Sequence, residues 1–204
     1  MLVEENGVRM LIDPGSFTRD AQEKLTGLDA ILITHEHQDH FHTESLKIIL
    51  KNNAQAKVIC NDGVAKFLTE AGIDHEILED GHSTDVKGVS IEGFGQLHAE
   101  VHPSMPQARN TGFYIAGHFW YPGDALSVFS KSPAILALPL AGPWMKLSEA
   151  IDYAIKLKPA GCFPVHDFVL SDAGSEIHQR IAKSILEPRG IQFYQMKLGE
   201  PYDI

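Results

Sequence analysis

The sequence lacks any long apolar run and contains few cysteines. No apolar stretch reaches the about 18 residues that a membrane-spanning helix requires, and residues 1–7 contain neither the basic nor the apolar part of a signal peptide. The two cysteines, Cys60 and Cys162, form no C-x-x-C motif and fall in apolar, strand-like segments. We therefore expect a cytoplasmic protein with two buried free thiols and no membrane contact.

Basic residues are also scarce. The chain has 17 lysines and arginines against 27 aspartates and glutamates, a net charge of −10 at pH 7. A protein that binds nucleic acid nonspecifically needs a basic surface to displace the counterions of the phosphates, and adsorption to an anionic membrane needs one as well. We therefore expect a small-molecule substrate, and neither nucleic acid nor a membrane as a partner.

The distribution of apolar residues predicts a mixed α/β (α+β) fold. A chain of 204 residues with 44% hydrophobic residues can form one domain with a substantial core, and no linker divides it, so residues 1–204 are interpreted as a single domain. Asn6-Gly7 is typical of a two-residue hairpin turn. The predicted strands are 2–5, 8–12, 30–34, 57–60, 86–94, 111–116, 119–121, 134–138, 161–165 and 191–196. The predicted helices are 43–51 with Thr43 as N-cap, 62–71 closed by Gly72, 147–157 and 175–186.

Histidine is abundant and unevenly placed. Four of the 11 histidines lie between positions 35 and 42, where residues 35–40 read His-Glu-His-Gln-Asp-His directly after a predicted buried strand. Imidazole nitrogens and carboxylate oxygens bind Zn²⁺, Mn²⁺ and Fe²⁺. Four ligands from one short loop cannot all bind one ion without strain, so His35, His37, Asp39 and His40 are expected to serve two adjacent ions. Further ligands must come from elsewhere, and His98, Asp124 and His166 each follow a predicted strand.

The order of these motifs resembles the metallo-β-lactamase superfamily of hydrolases. The motif His-x-His-x-Asp-His is followed by an isolated histidine, a Gly-Asp and a final histidine after an apolar strand, and residues 11–15 (Leu-Ile-Asp-Pro-Gly) resemble the first, acidic motif. Residues 96–106, 122–124 and 139–147 look closest to the small ascorbate-6-phosphate lactonase-like branch. The resemblance covers nearly the whole chain and implies a four-layer αββα sandwich.

The resemblance also implies roles for the candidate residues. His35, His37 and His98 would hold one metal ion. Asp39, His40 and His166 would hold a second ion, with Asp124 bridging the pair. His102 is an alternative to His98 as a ligand of the first ion. His98 is preferred because it follows a predicted strand, whereas His102 precedes Pro103 in a predicted loop. The cofactor would be two divalent ions, zinc first and manganese or iron as alternatives.

The implied chemistry is hydrolysis of an ester-like bond, in a lactone or a phosphoester, by a hydroxide shared between the two ions. Asp39 would also support this nucleophile. Three residues are weaker candidates for substrate contact: Trp144, Lys146 and His102. Asp13 would orient a ligand or simply form a turn before Pro14-Gly15.

Three alternatives stay open at this point. An RNA-processing nuclease of the same fold is disfavoured by the net charge of −10 and by the absence of a basic inserted arm. A redox protein would need iron in the site, and a metal-stabilised binding module would need no complete ligand set. Similar proteins usually begin one strand earlier, so either the sequence is truncated or a sheet edge is uncovered, and an open edge makes a homo-oligomer an expected partner.

Overall fold

Two β-sheets pack face to face in the computed structural model, which describes residues 1–127 and 129–204. The five-stranded sheet contains, in spatial order, Leu2–Glu5 (β1), Val8–Ile12 (β2), Ala30–Ile33 (β3), Lys57–Cys60 (β4) and Glu76–Ile77 (β5). The seven-stranded sheet contains, in chain order, Ser83–Val86 (β6), Val89–Phe94 (β7), Gly112–Ile115 (β8), Phe119–Tyr121 (β9), Ile135–Pro139 (β10), Gly161–Val165 (β11) and Gln192–Phe193 (β12). Its spatial order is the reverse, from β12 to β6.

Helices cover the outer face of each sheet. They are Arg19–Gln22 (α1), Thr43–Asn52 (α2), Asp62–Glu70 (α3), Leu147–Leu157 (α4) and Asp172–Leu186 (α5). Alternate residues of one strand serve different layers: Ile31 and Ile33 pack with α2 and α3, while Ala30 and Leu32 face the second sheet. This is the period of two that a strand buried on both faces requires. Leu136, Leu138 and Cys162 similarly pack the second sheet against α4 and α5, so the predicted αββα sandwich is confirmed.

Most elements have the predicted type. Asn6 and Gly7 both have positive φ values of 50° and 79°, as a type I′ turn requires, and Cys60 and Cys162 are buried free thiols. Among the described residues, no helix combines the length and the apolar character needed to cross a membrane.

Two local predictions are wrong. The strand predicted over residues 86–94 spans a hairpin turn instead: Val86 ends β6, Lys87 and Gly88 form the turn with positive φ values of 51° and 89°, and β7 starts at Val89. The N-cap of α2 is His42 rather than Thr43, because the His42 imidazole accepts the backbone N–H of Ser45. Three short elements, α1, β5 and β6, were not predicted. Other differences are shifts of element ends, such as α5, which starts at Asp172 with Ser171 as N-cap.

The strand directions bring distant residues to one edge of the sandwich. β2 and β3 are parallel, and so are β9, β10 and β11. Because parallel strands end at the same edge of a sheet, the loops after β2 and β3 lie together, and so do the loops after β9 and β11. Asp13, His35, Asp124 and His166 are in these loops.

Candidate metal centre

Three overlapping groups of candidate metal ligands converge here: a first triplet of His35, His37 and His98, a second triplet of Asp39, His40 and His166, and a group of His35, His40 and Asp124 that links them. In the first triplet, one nitrogen of each ring lies within 4.8 Å of the others, and the ring centroids are 4.7–5.0 Å apart. His35 and His98 are buried, whereas His37 is exposed. His35 and His98 therefore lie at the buried base of the triplet, and His37 borders the solvent.

The second triplet consists of Asp39, His40 and His166, whose ligand atoms also lie within 4.8 Å of one another. Oδ2 of Asp39 is 3.7 Å from Nε2 of His40 and 3.4 Å from Nε2 of His166. His40 is buried, and the Asp39 side chain is 27% exposed. As in the first triplet, buried groups lie behind one group that reaches the solvent.

Asp124 lies between the triplets. Its Oδ1 is 3.2 Å from Nε2 of His40, and its Oδ2 is 3.4 Å from Nε2 of His98 and 2.9 Å from Nε2 of His166. The carboxylate therefore contacts both groups, which is the position that a bridging ligand would need. The structure thus brings together all seven residues for which the sequence predicts metal binding, and the ligand role itself stays a prediction.

The histidine rings are oriented by oxygen atoms behind them. Nδ1 of His98 donates to the Ala99 carbonyl and Nδ1 of His166 to the Ala141 carbonyl, both at 2.6 Å. Because a carbonyl oxygen only accepts, Nδ1 must carry the proton. In the neutral ring each Nε2 is then left with a lone pair, as metal-binding histidines usually have.

Asp13 orients the other two buried rings. Its Oδ2 is 2.7 Å from Nδ1 of His40. It also accepts the hydroxyl proton of Thr34 at 2.7 Å, which leaves the Thr34 oxygen free to accept Nδ1–H of His35 at 2.9 Å. The hydroxyl of Tyr121 donates to the same Oδ2 at 2.8 Å. Asp13 thus supports both triplets from behind, beyond its alternative interpretation as a turn residue.

Buried polar atoms without partners mark the centre of the site. Nε2 of His35, Nε2 of His166 and Oδ1 of Asp124 are buried, and within the described part of the chain none makes a hydrogen bond of good geometry. Such atoms are costly unless they find a ligand. Nitrogen and carboxylate donors that converge in this way fit divalent ions of the zinc, manganese or iron type.

Electrostatics favour protons at the second triplet when no metal is bound. Burial lowers the pKa of His40, but the charges of Asp124 and Asp13 outweigh it and raise the pKa to about 10. Burial likewise lowers the pKa of His166, and the carboxylates of Asp124 and Asp39, at 2.9 and 3.4 Å from its Nε2, raise it to about 10. A metal ion at these nitrogens must therefore displace protons.

In the first triplet, the surroundings lower the pKa of His35 and of His37 instead. Burial, with a smaller contribution from the neighbouring imidazole of His40, places the pKa of His35 well below its usual value. Burial and the charge of His98 also lower the pKa of His37. Both rings are then neutral near pH 7 and can offer nitrogen lone pairs to a cation.

Asn110 was not recognised in the sequence. Its buried amide donates to the Pro122 carbonyl at 2.9 Å and accepts the backbone N–H of Asp124 at 3.0 Å. Gly123, with φ of 64°, leaves room for this amide, which an added Cβ would overlap. Asn110 thus holds the loop that carries Asp124. The two residues are 14 positions apart along the chain, so no local sequence pattern indicated this contact. Thr34 could have been noticed because it directly precedes His35.

The three weaker candidates lie in different environments. Trp144 contacts the site directly, because its Nε1–H donates to Oδ2 of Asp124 at 2.9 Å. Lys146 is exposed and caps α4, where its backbone N–H donates to Glu149. His102 is exposed and its ring forms a hydrogen bond with Ser104. His98 belongs to the first triplet, so the geometry favours His98 over His102 as the isolated histidine that follows the His-x-His-x-Asp-His motif. Substrate contact by these residues stays a prediction.

Comparisons with known proteins agree with the family resemblance seen in the sequence. The family model described as a beta-lactamase superfamily domain matches residues 1–166. Protein Rv0786c of Mycobacterium tuberculosis is 34% identical over 176 residues, covering 84% of this chain and 81% of that protein. A metal-dependent hydrolase of Methanocaldococcus jannaschii, MJ1163, is 22% identical over 191 residues, covering 89% and 86%.

A solved structure shows the same fold. Igni18, a metallo hydrolase from the archaeon Ignicoccus hospitalis, superposes with a TM-score of 0.74 at 21% identity, covering 98% of this chain and 91% of that one. The resemblance seen in the sequence is therefore confirmed for the superfamily, and the enzyme class that the sequence predicts agrees with the names of the hydrolase relatives. The chain belongs to the beta-lactamase superfamily of metal-dependent hydrolases.

Proposed function

We propose that the chain is a dinuclear hydrolase that cleaves an ester-like bond, a lactone or a phosphoester, in a small molecule. The observation that carries the proposal is the arrangement of two ligand triplets on either side of Asp124. A single ion would leave one triplet without a cation and at least one of the buried atoms, Nε2 of His35 or Nε2 of His166, without a partner. Zinc is the first candidate metal because histidine nitrogens dominate the donor set, and the carboxylates also admit manganese or iron.

Each residue has a distinct proposed task. His35, His37 and His98 would hold one ion, and Asp39, His40 and His166 the other, with Asp124 shared. Two divalent ions in such a site supply an acidified water molecule and stabilise negative charge that develops on oxygen. Asp39 is the ligand carboxylate that reaches solvent, with 27% of its side chain exposed, so it can accept a hydrogen bond from the attacking water.

The surroundings of the site suit a small, uncharged or weakly charged substrate. A cavity of about 620 Å³ opens beside His98 and Trp144, a size typical of small-molecule sites. Its other lining residues include apolar side chains, two acidic ones and one basic one: Leu97, Leu126, Met145, Glu149, Asp152 and Lys156. The net charge of −10 works against polyanionic substrates such as RNA. The similarity to the lactonase-like branch supports a lactone as the first substrate to test.

Elemental analysis of the purified protein, followed by substrate screening, tests the proposal. We expect about two equivalents of metal per chain after reconstitution with Zn²⁺ or Mn²⁺, and turnover in a panel of lactones and phosphodiesters. Thioesters, precursor tRNA and single-stranded RNA complete the panel. Absence of bound metal under every loading condition would overturn the proposal, and cleavage of RNA alone would assign the nuclease function instead. Bound iron with redox activity and no hydrolysis would contradict it too.

Two kinds of partner are considered for this protein. A small-molecule substrate is proposed, and a homo-oligomer stays a prediction that light scattering can test. β1 is an edge strand of the five-stranded sheet, and an edge strand offers unpaired backbone groups to a second chain.

A further inference from the structure

Trp144 makes a specific contact with the carboxylate between the two triplets. Its indole Nε1–H donates to Oδ2 of Asp124 at 2.9 Å. This oxygen is also the one nearest to Nε2 of His98 and to Nε2 of His166. A hydrogen bond to an ionised, buried carboxylate is shorter and stronger than a neutral one, so Trp144 influences how Asp124 is oriented.

The Trp144 ring spans both halves of the site. Its centroid lies 5.9 Å from the ring of His98, in the first triplet, and 6.1 Å from the ring of His166, in the second, both in an edge-on arrangement. The indole is partly exposed. Trp144 therefore forms a wall of the site on the side of the cavity, rather than a part of the core.

Gly142 provides the room that this position of Trp144 needs. A Cβ atom placed on Gly142 would lie 2.7 Å from Nε1 of Trp144 and 3.1 Å from two further indole atoms. Any larger residue at position 142 would therefore push the indole away from Asp124. The hydrogen bond depends on the glycine as well as on the tryptophan.

The main-chain and side-chain atoms of Asp124 are held by different residues. Asn110 accepts its backbone N–H, which positions the loop but leaves the side-chain torsions free. Oδ1 has no hydrogen-bond partner of good geometry among the residues that the structure describes. The indole bond to Oδ2 is therefore a contact from outside the two triplets that supports the observed carboxylate orientation, with one oxygen toward His40 and the other toward His98 and His166.

We propose that Trp144 is a positioning residue that orients Asp124 so that its two oxygens can serve both metal ions. The inference rests on the proposed dinuclear site and adds a residue to it. The indole donates one hydrogen bond to Oδ2, and the remaining lone pairs of the carboxylate stay available for the ions. Loss of such a hydrogen bond behind a ligand typically weakens metal binding about 10- to 100-fold.

The test compares three variants by metal titration and by the visible absorption spectrum of the Co²⁺-loaded protein. Trp144→Phe removes the indole N–H but keeps an aromatic ring. Gly142→Ala keeps Trp144 but displaces its indole. Trp120→Phe is the matched control, because Trp120 donates its indole N–H to Tyr153 at 2.9 Å inside the core. All three are checked for folding by circular dichroism.

We expect Trp144→Phe and Gly142→Ala to weaken the binding of at least one of two Co²⁺ ions about 10- to 100-fold and to change the spectrum. Trp120→Phe should retain both ions and the wild-type spectrum. If the wild-type protein binds two ions and Trp144→Phe binds them equally well with an unchanged spectrum, the inference is wrong and the proposed function stands. If the wild-type protein binds no ion, the proposed function itself fails. Should Trp144→Phe not fold, Gly142→Ala alone decides by the same criteria.

Discussion

Oδ2 of Asp13 lies 2.7 Å from Nδ1 of His40, although 27 residues separate the two along the chain. The same oxygen accepts the hydroxyl protons of Thr34, directly after β3, and of Tyr121, in β9, and these two strands belong to different sheets. Asp13 has a positive φ of 50°, a conformation that non-glycine residues adopt rarely and that Asp tolerates better than most. The turn after β2 is therefore built to place one carboxylate behind the second triplet.

Replacing this carboxylate should weaken the metal site. In Asp13→Asn the amide oxygen can accept only part of the hydrogen bonds from His40, Thr34 and Tyr121, so the histidine rings of the site are held less firmly. We expect metal affinity to fall about 10- to 100-fold, measured by competition with a chromophoric chelator. Asp20→Asn, an exposed residue in the first turn of α1, is the control. Equal affinity of both variants would show that Asp13 serves only the turn.

Local patterns predicted most of the fold. The strands β1, β2, β4, β9 and β11 and the helix α4 have the predicted bounds, because alternation, apolar runs and turn residues act over a few positions. The turn at Lys87-Gly88 was missed because the apolar residues on both sides read as one strand. His42 was missed as the cap of α2 because imidazole is an uncommon N-cap and Thr43 is a common one.

The site was predictable where its candidate ligands share a motif or follow strands. His35, His37, Asp39 and His40 lie in one loop, so their convergence follows from local sequence. The supporting contacts depend on tertiary packing instead. Asn110 reaches Asp124 across 14 residues and Tyr121 reaches Asp13 across 108, and neither pairing has a signature in the sequence.

The solvent-facing ligands should control turnover more than folding. Asp39 and His37 border the opening of the site, so Asp39→Asn and His37→Ala remove little from the core. We expect kcat to fall by a factor of about 100 or more on whichever substrate the screen identifies, with an unchanged circular dichroism spectrum. His82→Ala, at an exposed position outside both triplets, is the control. Near-normal turnover in Asp39→Asn would exclude its proposed support of the nucleophile.

Metal binding should release protons and become tighter as the pH rises. Without metal, the pKa values of His40 and His166 are each raised to about 10, so both rings are protonated near pH 7. A metal ion needs the lone pair of Nε2. For each proton that the ion displaces, the metal affinity therefore increases about tenfold with every unit by which the pH rises, as long as the pH stays below that pKa. Isothermal titration calorimetry in two buffers of different ionisation enthalpy counts the protons, and an affinity independent of pH between about 6.5 and 8.5 would refute the prediction.

The same shifts predict how the metal-free protein responds to pH. The folded-state pKa values of about 10 exceed the about 6.5 of an unfolded histidine. Their contribution to stability is therefore fully present below about pH 6.5 and is lost as the pH rises toward 10. Thermal melts of chelator-treated protein should show a Tm that falls relative to the metal-loaded protein between about pH 7 and 9. Because both forms share all other titrating groups, a constant difference in Tm would count against these pKa values.

Gly15 should be intolerant of any side chain, because it packs against the backbone of the ligand loop. A Cβ atom there would overlap the carbonyl group of Asp39 and the backbone nitrogen of His40. Rotation of a side chain cannot relieve contact with backbone atoms, so the loop itself must move. We expect Gly15→Ala to lower the free energy of unfolding by about 1–3 kcal/mol or more and to weaken metal binding as well.

Gly174→Ala is the matched control for this substitution. Gly174 lies in the first turn of α5, where an added Cβ would meet only side-chain atoms at 3.3 Å or more. Alanine is favoured over glycine in a helix by about 1 kcal/mol, so this variant should keep or gain stability and bind metal normally. Urea denaturation and metal titration of the two variants measure both effects. A Gly15→Ala protein with wild-type metal affinity would mean that the ligand loop can shift without disturbing Asp39 and His40, and that their positions are set mainly by contacts such as the one between Asp13 and His40.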